Sequence, residues 1–525
     1  MATVTIEQAF QTALGHHRAG RLAEAEAVYR QILAVQPHHA DALHLLGVIA
    51  QQVGHPDAAI ELIAKAIAAV PDYSDAHNSL GNALKDKGRL DEAVAAYYRA
   101  IALRPDYAEA YYNLGGALHC HGRLEEAVAA YRQAIIVRPD YPEAYYNLGG
   151  VMQEMGLADA AVAAYRHAIA IRPGYVEAHG NLGNALKSAG RVDEAIAAYE
   201  QAVAVSPGFG EAHYNLALAL LLGGVFGRGW EEYEWRWKVR YFAPAWRNFA
   251  QPQWDGAPLE GRAILLHAEQ GFGDTMQFIR YLPMVRECGG KIILECQPEL
   301  QRILQGMLPG LAVISKGQPL PAFEVHCPLM SLPRIFATDL TNIPHDVPYL
   351  SANLAGAEAW RERLACAASG LKVGIVWAGH RGHTNDRNRS LSLAALAPLA
   401  GVFGVRFFSL QKGDAASESH HPPPGMELTD VGQDLNDFAD TAALIANLDL
   451  VIAVDTAVVH LAGAMGRPVW TLLPFVPDWR WLLGREDSPW YPTMRLFRQP
   501  EAGDWESVIR RVAEELRVLQ AAMGN

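Results

Sequence analysis

The chain has 525 residues, half of them hydrophobic, and a formal net charge of −13. That length asks for more than one domain, and the acidic balance excludes the basic face that nucleic acid or an anionic membrane surface requires. The five cysteines, Cys120, Cys288, Cys296, Cys327 and Cys366, are scattered with no CxxC pair, which reads as free thiols in a reducing compartment and excludes a disulfide framework or a cysteine zinc site. The opening MATVTIEQAF has neither a basic segment nor an apolar core, and no long uncharged apolar run occurs later. A cytoplasmic protein without a membrane span is expected.

The first 225 residues repeat. Pro37, Pro71, Pro105, Pro139, Pro173 and Pro207 stand 34 residues apart, the signature of stacked helical hairpins. In one unit Leu114 and Gly115 belong to a first helix, Gly122 breaks it, and Ala127, Tyr131 and Ala134 pack a second that Pro139 ends. Small residues let the paired helices approach, and proline is tolerated where a new unit begins. A leading unit covers about residues 3–36, with Gly20, Ala25 and Tyr29 in phase. The last unit is broken by GRGWEEYEWRWK, whose Trp230, Tyr233 and Trp237 are expected on one helical face, docking the array onto the next domain. The array resembles the tetratricopeptide repeat, and such arrays bind extended protein segments. Asn113, Asn147, Asn181 and Asn215 recur at one position of the first helices. They read either as a ladder for an acceptor peptide's backbone or as ties between adjacent helices. The first reading is similar to the asparagine ladder of protein O-GlcNAc transferases.

From residue 262 strands and helices alternate. RAILLHAE, KIILECQ, LAVISKG and FEVHC are read as strands, then KVGIVWAG, VRFFSLQKG, MELTDVG, LDLVIAVD, PVWTLLP and MRLFRQ. Alternation predicts parallel sheets flanked by helices. The expected fold class is an N-terminal all-α superhelix followed by an α/β module of two Rossmann-like domains. The expected divisions are 1–225 repeats, 226–261 capping helix and connector, 262–350 acceptor-side domain and 351–525 nucleotide-sugar domain with a final bracing helix.

Ligands of open α/β sheets lie beyond the carboxyl ends of the strands. There the candidates are Asp455 and Thr456, which open a helix carrying His460. A bare cap explains them, as does an anion held by the free N–H groups and the helix dipole. A second junction offers Asp274, flanked by His267, Glu269 and Gln270. A third offers Arg389 and Ser390 in a polar loop, and a fourth Gln411 and Lys412, readable as phosphate ligands or as solvated loop residues. Asp478, Trp479, Arg480 and Trp481 are expected to pack, with closure of a donor pocket as the alternative. No DxD motif or metal-ligand pair stands at these ends, so no metal and no cofactor is expected.

LIANLDLVIAVDTAVVHLAGAMGRPV is similar to the donor-site segment of heptosyltransferase-like glycosyltransferases, with Ala457 where a glycine is usual. That resemblance implies a GT-B arrangement, a diphosphate of a nucleotide-sugar at Asp455, Thr456 and Ala457, and Asp274 as general base, with His267, Glu269 and Gln270 as alternatives for that role. The whole is similar in architecture to protein O-GlcNAc transferases and to flagellin-modifying glycosyltransferases. It implies an inverting, metal-independent transfer to Ser or Thr of a protein held by the repeats. The alternatives are a transferase acting on a glycan or lipid-linked acceptor, and a non-catalytic repeat scaffold.

Overall fold

The computed structural model describes residues 5–365, 370–383 and 385–523. It divides into two compact units, 1–189 with 204–206, and 190–203 with 207–525. The expected division at 225 tracks the repeat motif; the compact units part at Ala189 and Gly190, because the last repeat packs with the segments after it.

In the first unit helices of 13 and 14 residues alternate, as in Ala108–Cys120 and Leu124–Val137. Each pair turns on a glycine in the left-handed region, Gly122 at φ +75 and its equivalents Gly20, Gly54, Gly88 and Gly156, a conformation glycine adopts without strain. Packing fixes a second glycine. A Cβ on Gly115 would fall 2.8 Å from Tyr131 Cδ1, and one on Gly149 2.8 Å from Tyr165 Cε1. The tyrosine ring of the second helix thus lies against the backbone of the first in three successive repeats, and Ile63 takes that place against Gly47. Tyr97, Tyr131 and Tyr165 are buried as a result.

The second unit begins with the last repeat. Its first helix is Gly210–Leu222, followed by a short helix Phe226–Tyr233 and two 3-10 turns, Glu234–Lys238 and Arg240–Ala245. The expected single face of Trp230, Tyr233 and Trp237 is not formed, because the α-helix ends at Tyr233 and Trp237 lies in the tighter turn. Trp230 and Tyr233 are buried, and Trp230 Nε1 donates to Thr338 O at 2.9 Å.

Strands β1 (Ala263–His267), β2 (Lys291–Cys296), β3 (Ala312–Ser315) and β4 (Val325–Pro328) form one parallel sheet in the order 3-2-1-4. Strands β5 (Leu371–Val376), β6 (Val405–Ser409), β7 (Leu428–Asp430), β8 (Leu450–Val454), β9 (Val469–Leu473) and β10 (Met494–Arg498) form another, in the order 10-9-8-5-6-7. Alternate residues of the second sheet enter two cores, as strand geometry requires. Val373, Ile375 and Ile452 join a cluster with Val508, Ile509, Val512 and Leu516 of the final helix Trp505–Met523. That helix therefore lies on the second sheet. Phe408, Val451 and Ala453 join a larger cluster that also takes in Ile264, Phe278, Leu221 and Trp230. One hydrophobic core thus holds the last repeat and both sheets.

Cys120, Cys288, Cys296 and Cys327 are free thiols, and Cys366 lies outside the described residues. Among the described residues no helix is long and apolar enough to cross a membrane.

Candidate active site

Strand β8 ends at Val454, Asp455 and Thr456 turn the chain, and the helix Ala457–Ala464 starts. Thr456 has the extended backbone of an N-cap, yet its side chain makes no cap hydrogen bond, and its Oγ1 is buried without a partner. The first-turn N–H groups are left open by side chains. Arg389 comes to the same point. Its Nη1 donates to Asp455 O at 2.9 Å, and its buried Nε makes no hydrogen bond, with Asp386 Oδ1 3.7 Å away as its ion-pair partner. Gly379 permits the approach, since a Cβ there would fall 2.6 Å from Arg389 Nη2. Burial first, and then the Asp478 charge, push the Asp455 carboxyl up to about 6, against the pull of Trp481, Arg389 and Arg480. Ala457 stands half-buried at the helix start.

The neighbouring candidates are engaged within the chain. Ser390 Oγ accepts from Gly379 N at 2.9 Å and donates to Asp386 Oδ1 at 2.6 Å. Gln411 Oε1 accepts from Trp377 N and Ala378 N, and its Nε2 donates to Ala378 O and Lys412 O. It ties the end of β6 to the loop after β5. Lys412 Nζ donates to Gly432 O at 2.8 Å and Leu435 O at 2.9 Å. A cavity of about 280 Å³ opens beside it, lined also by His420, Asp430 and Gln433.

His460 is buried. Its Nδ1 meets Tyr491 OH at 2.9 Å, its ring lies 5.4 Å from that of Trp481, and its Cδ2 would touch a Cβ on Gly273 at 2.7 Å. Burial, then Arg480 and Arg280, hold it neutral, far below the usual imidazole range. It joins the helix of the second sheet to the glycine turn of the first.

That turn carries Asp274. Its Oδ2 accepts from Gly271 N at 2.8 Å, and its Oδ1 is ion-paired with Arg480. Arg480 also donates to Asp478 Oδ1 at 2.7 Å and Gln277 Oε1 at 2.6 Å, and lies over the Trp479 ring at 4.3 Å. This guanidinium reaches a carboxylate from each sheet's loops and influences Asp455 as well. The Asp274–Arg480 pairing was not legible in the sequence; the two tryptophans flanking Arg480 were the available signal, since guanidinium groups stack on indoles.

The other residues of the β1 turn hold the fold together. His267 Nε2 lies 3.3 Å from His326 Nδ1, and burial, then His326, drive its pKa down to about 3. Gln270 Nε2 donates to Tyr233 OH at 2.8 Å. Glu269 is paired with the fully buried Arg236 at 3.1 Å, and burial pushes its carboxyl up to about 7 against that pull. Arg236 also bonds Glu234 and Ser331, an ion cluster that had no cue in the residue pattern.

In the repeats, Asn113 donates to Asn78 Oδ1 at 3.1 Å, Asn147 to Tyr112 OH at 2.9 Å and Asn181 to Tyr146 OH at 3.0 Å. Three of the four amides thus tie adjacent helices. Each partner lies 35 positions earlier; for Asn215 that position is Gly180, which has no side chain to offer.

Residues 81–122, 117–156 and 183–224 match the TPR repeat, and 16–83 and 152–198 the tetratricopeptide repeat. Residues 394–475 match glycosyltransferase family 9 (heptosyltransferase), a stretch that includes Gln411, Lys412, Asp455, Thr456 and His460. The chain thus joins tetratricopeptide repeats to a glycosyltransferase family 9 domain. It is 29% identical over 326 residues to Protein FlbA of Caulobacter vibrioides, an alignment covering 57% of this chain and 54% of that one. The chain therefore spans about half the length of that relative. Among solved structures, MamA is 31% identical over 31% of this chain and 95% of its own, with a TM-score of 0.30. Pseudomonas aeruginosa pilF is 20% identical over 39% of this chain and 94% of its own, with a TM-score of 0.36.

Proposed function

We propose that the chain is a glycosyltransferase of GT-B arrangement that moves a sugar from a nucleotide-sugar to a Ser or Thr hydroxyl of a polypeptide gathered by the repeats. The observation that carries the reading is the uncapped helix start at Thr456, with Arg389 beside it. Unpartnered N–H groups, a helix dipole and a guanidinium are what a leaving diphosphate needs. The cavity at Lys412 and Asp430 lies two to three strands away in the sheet order 8-5-6-7. At ~4.8 Å per strand that is roughly 10–14 Å, which leaves room along the sheet edge for a nucleoside beside the diphosphate.

In the proposed single displacement the acceptor oxygen attacks the anomeric carbon, the bond to the diphosphate breaks, and the hydroxyl proton passes to Asp274. A carboxylate has lone pairs beyond those held by Gly271 N and Arg480, so the hydroxyl can bond it while those contacts orient it. Direct attack inverts the anomeric carbon. The test is calorimetric titration with UDP, GDP, ADP and CMP in EDTA. One nucleotide is expected to bind the wild type and to lose its affinity in Asp455→Ala and Arg389→Ala. Binding of none would end the transferase reading and leave the scaffold.

A further inference from the structure

The segment between the last repeat and β1 is pinned at both ends. On one side Phe242 meets Tyr214 edge-on at 5.1 Å, and a Cβ on Gly210 would fall 2.6 Å from Lys238 Cβ. On the other, Phe249 packs on His267 and His326, with centroids 5.6 and 4.9 Å apart, and Arg247 donates to Glu295 Oε2 at 2.8 Å. The segment is thereby a strap over His267 at the end of β1, Glu295 near the end of β2 and His326 of β4. Between its pins Tyr241 is 75% and Trp246 51% exposed. Lys238 and Arg240 are exposed beside them, with no ion pair among the described residues. Residues 235–254 hold four basic and no acidic side chains, in a chain with 57 Asp and Glu.

We infer that this strap is a docking surface for an acidic, extended segment of the acceptor polypeptide, an inference that rests on the transferase reading above. Two aromatic faces give contact area with little loss of conformational freedom. The uncompensated cations select acidic partners over a distance of ~10 Å at ordinary salt. A neutral glycan would leave both cations without a counter-charge. The location also fits. Tyr214, against which the strap is pinned, is half-buried and feels the charges of Asp478 and Asp274, which add to the burial that raises its phenol. Tyr214 also packs on Tyr233 at 5.6 Å between ring centroids, and the Tyr233 OH accepts from Gln270 of the turn that carries Asp274, so two rings link the strap to the turn of the proposed base.

The test uses the full chain and fluorescence anisotropy with two labelled peptides, one of alternating Glu and Ser with a single Tyr, the other with Lys in place of Glu. The acidic peptide is expected to bind, more weakly as salt rises, and the lysine peptide not to bind. Lys238→Glu with Arg240→Glu, and separately Tyr241→Ala with Trp246→Ala, are expected to weaken binding about tenfold or more. These side chains are exposed, and circular dichroism checks that both variants fold. Equal binding of the two peptides, or acidic binding unchanged in both variants, overturns the inference. So does a wild-type dimer that the charge reversal converts to monomer without any peptide binding, which would make the face a self-interface. Asp455→Ala is expected to keep peptide binding. If no nucleotide binds while the peptide pattern holds, the transferase reading fails and the docking surface stands.

Discussion

A methyl group on Gly273 would land 2.7 Å from His460 Cδ2. Both are held by rigid neighbours, so Gly273→Ala is expected to destabilise the second unit by about 1–3 kcal/mol, read by thermal denaturation. Asp274→Asn keeps the shape and removes the basicity; transfer is expected to fall about 10²–10⁴-fold with nucleotide affinity retained in the calorimeter. Asp455 gives a pH signature. Its carboxyl titrates near 6 when folded against an ordinary 3.8, so the folded state binds the extra proton between those values and stability falls as pH rises through the window. Asp455→Asn removes that dependence and is expected to melt above the wild type by a margin that grows as pH rises through the window, read by thermal denaturation across pH. His267, lowered from 6.5 to about 3, works the other way: its stabilisation is complete above 6.5 and is lost as pH falls toward 3. Strand ends and turn residues were legible at this scale, because alternation fixes where a strand must stop. The pairing of Asp274 with Arg480 was not, since the two lie 206 residues apart and only tertiary structure joins them. Equally hidden was the inward engagement of Gln411 and Lys412, whose side chains could as readily have faced solvent.

Within the repeats, two adjacent glycines make a controlled comparison. A Cβ on Gly115 would fall 2.8 Å from the Tyr131 ring, whereas one on Gly116 would meet only Tyr131 OH at 3.6 Å. Gly115→Ala is therefore expected to lower the melting temperature of the array. Gly116→Ala is expected to hold or raise it, since alanine is favoured by up to ~1 kcal/mol in a helix. The repeat period announced the first of these contacts, because a glycine recurring opposite a recurring tyrosine marks a close approach. It was silent on the asparagines, for which a ligand-facing ladder and a helix tie have the same spacing; only the hydrogen bonds to Asn78, Tyr112 and Tyr146 distinguish what three of them do within the chain.

At the scale of the molecule, the last repeat shares the core of the sheets. Trp230→Ala would empty a site that is 1% exposed and leave Thr338 O without its donor, so a loss of about 3–5 kcal/mol is expected by denaturant titration. A chain starting at Phe226 would lack Ala217, Leu221 and Leu222 of that core and is expected to aggregate on size exclusion, whereas one starting at Gly190 is expected to elute as a folded species. The change of motif marked the repeat's end, where similarity to the repeating pattern stops; the packing boundary falls one repeat earlier and depends on contacts no periodicity encodes. The left-handed glycine inside each 34-residue unit and the proline that ends it recur upstream, so the junctions there are alike. Unequal recombination in register could then insert or remove a whole unit and leave each remaining junction as it was. Since the final repeat is embedded in the shared core, such copying is tolerated only on its amino-terminal side. Array length is thereby a heritable dial, free to turn while the chemistry downstream stays fixed.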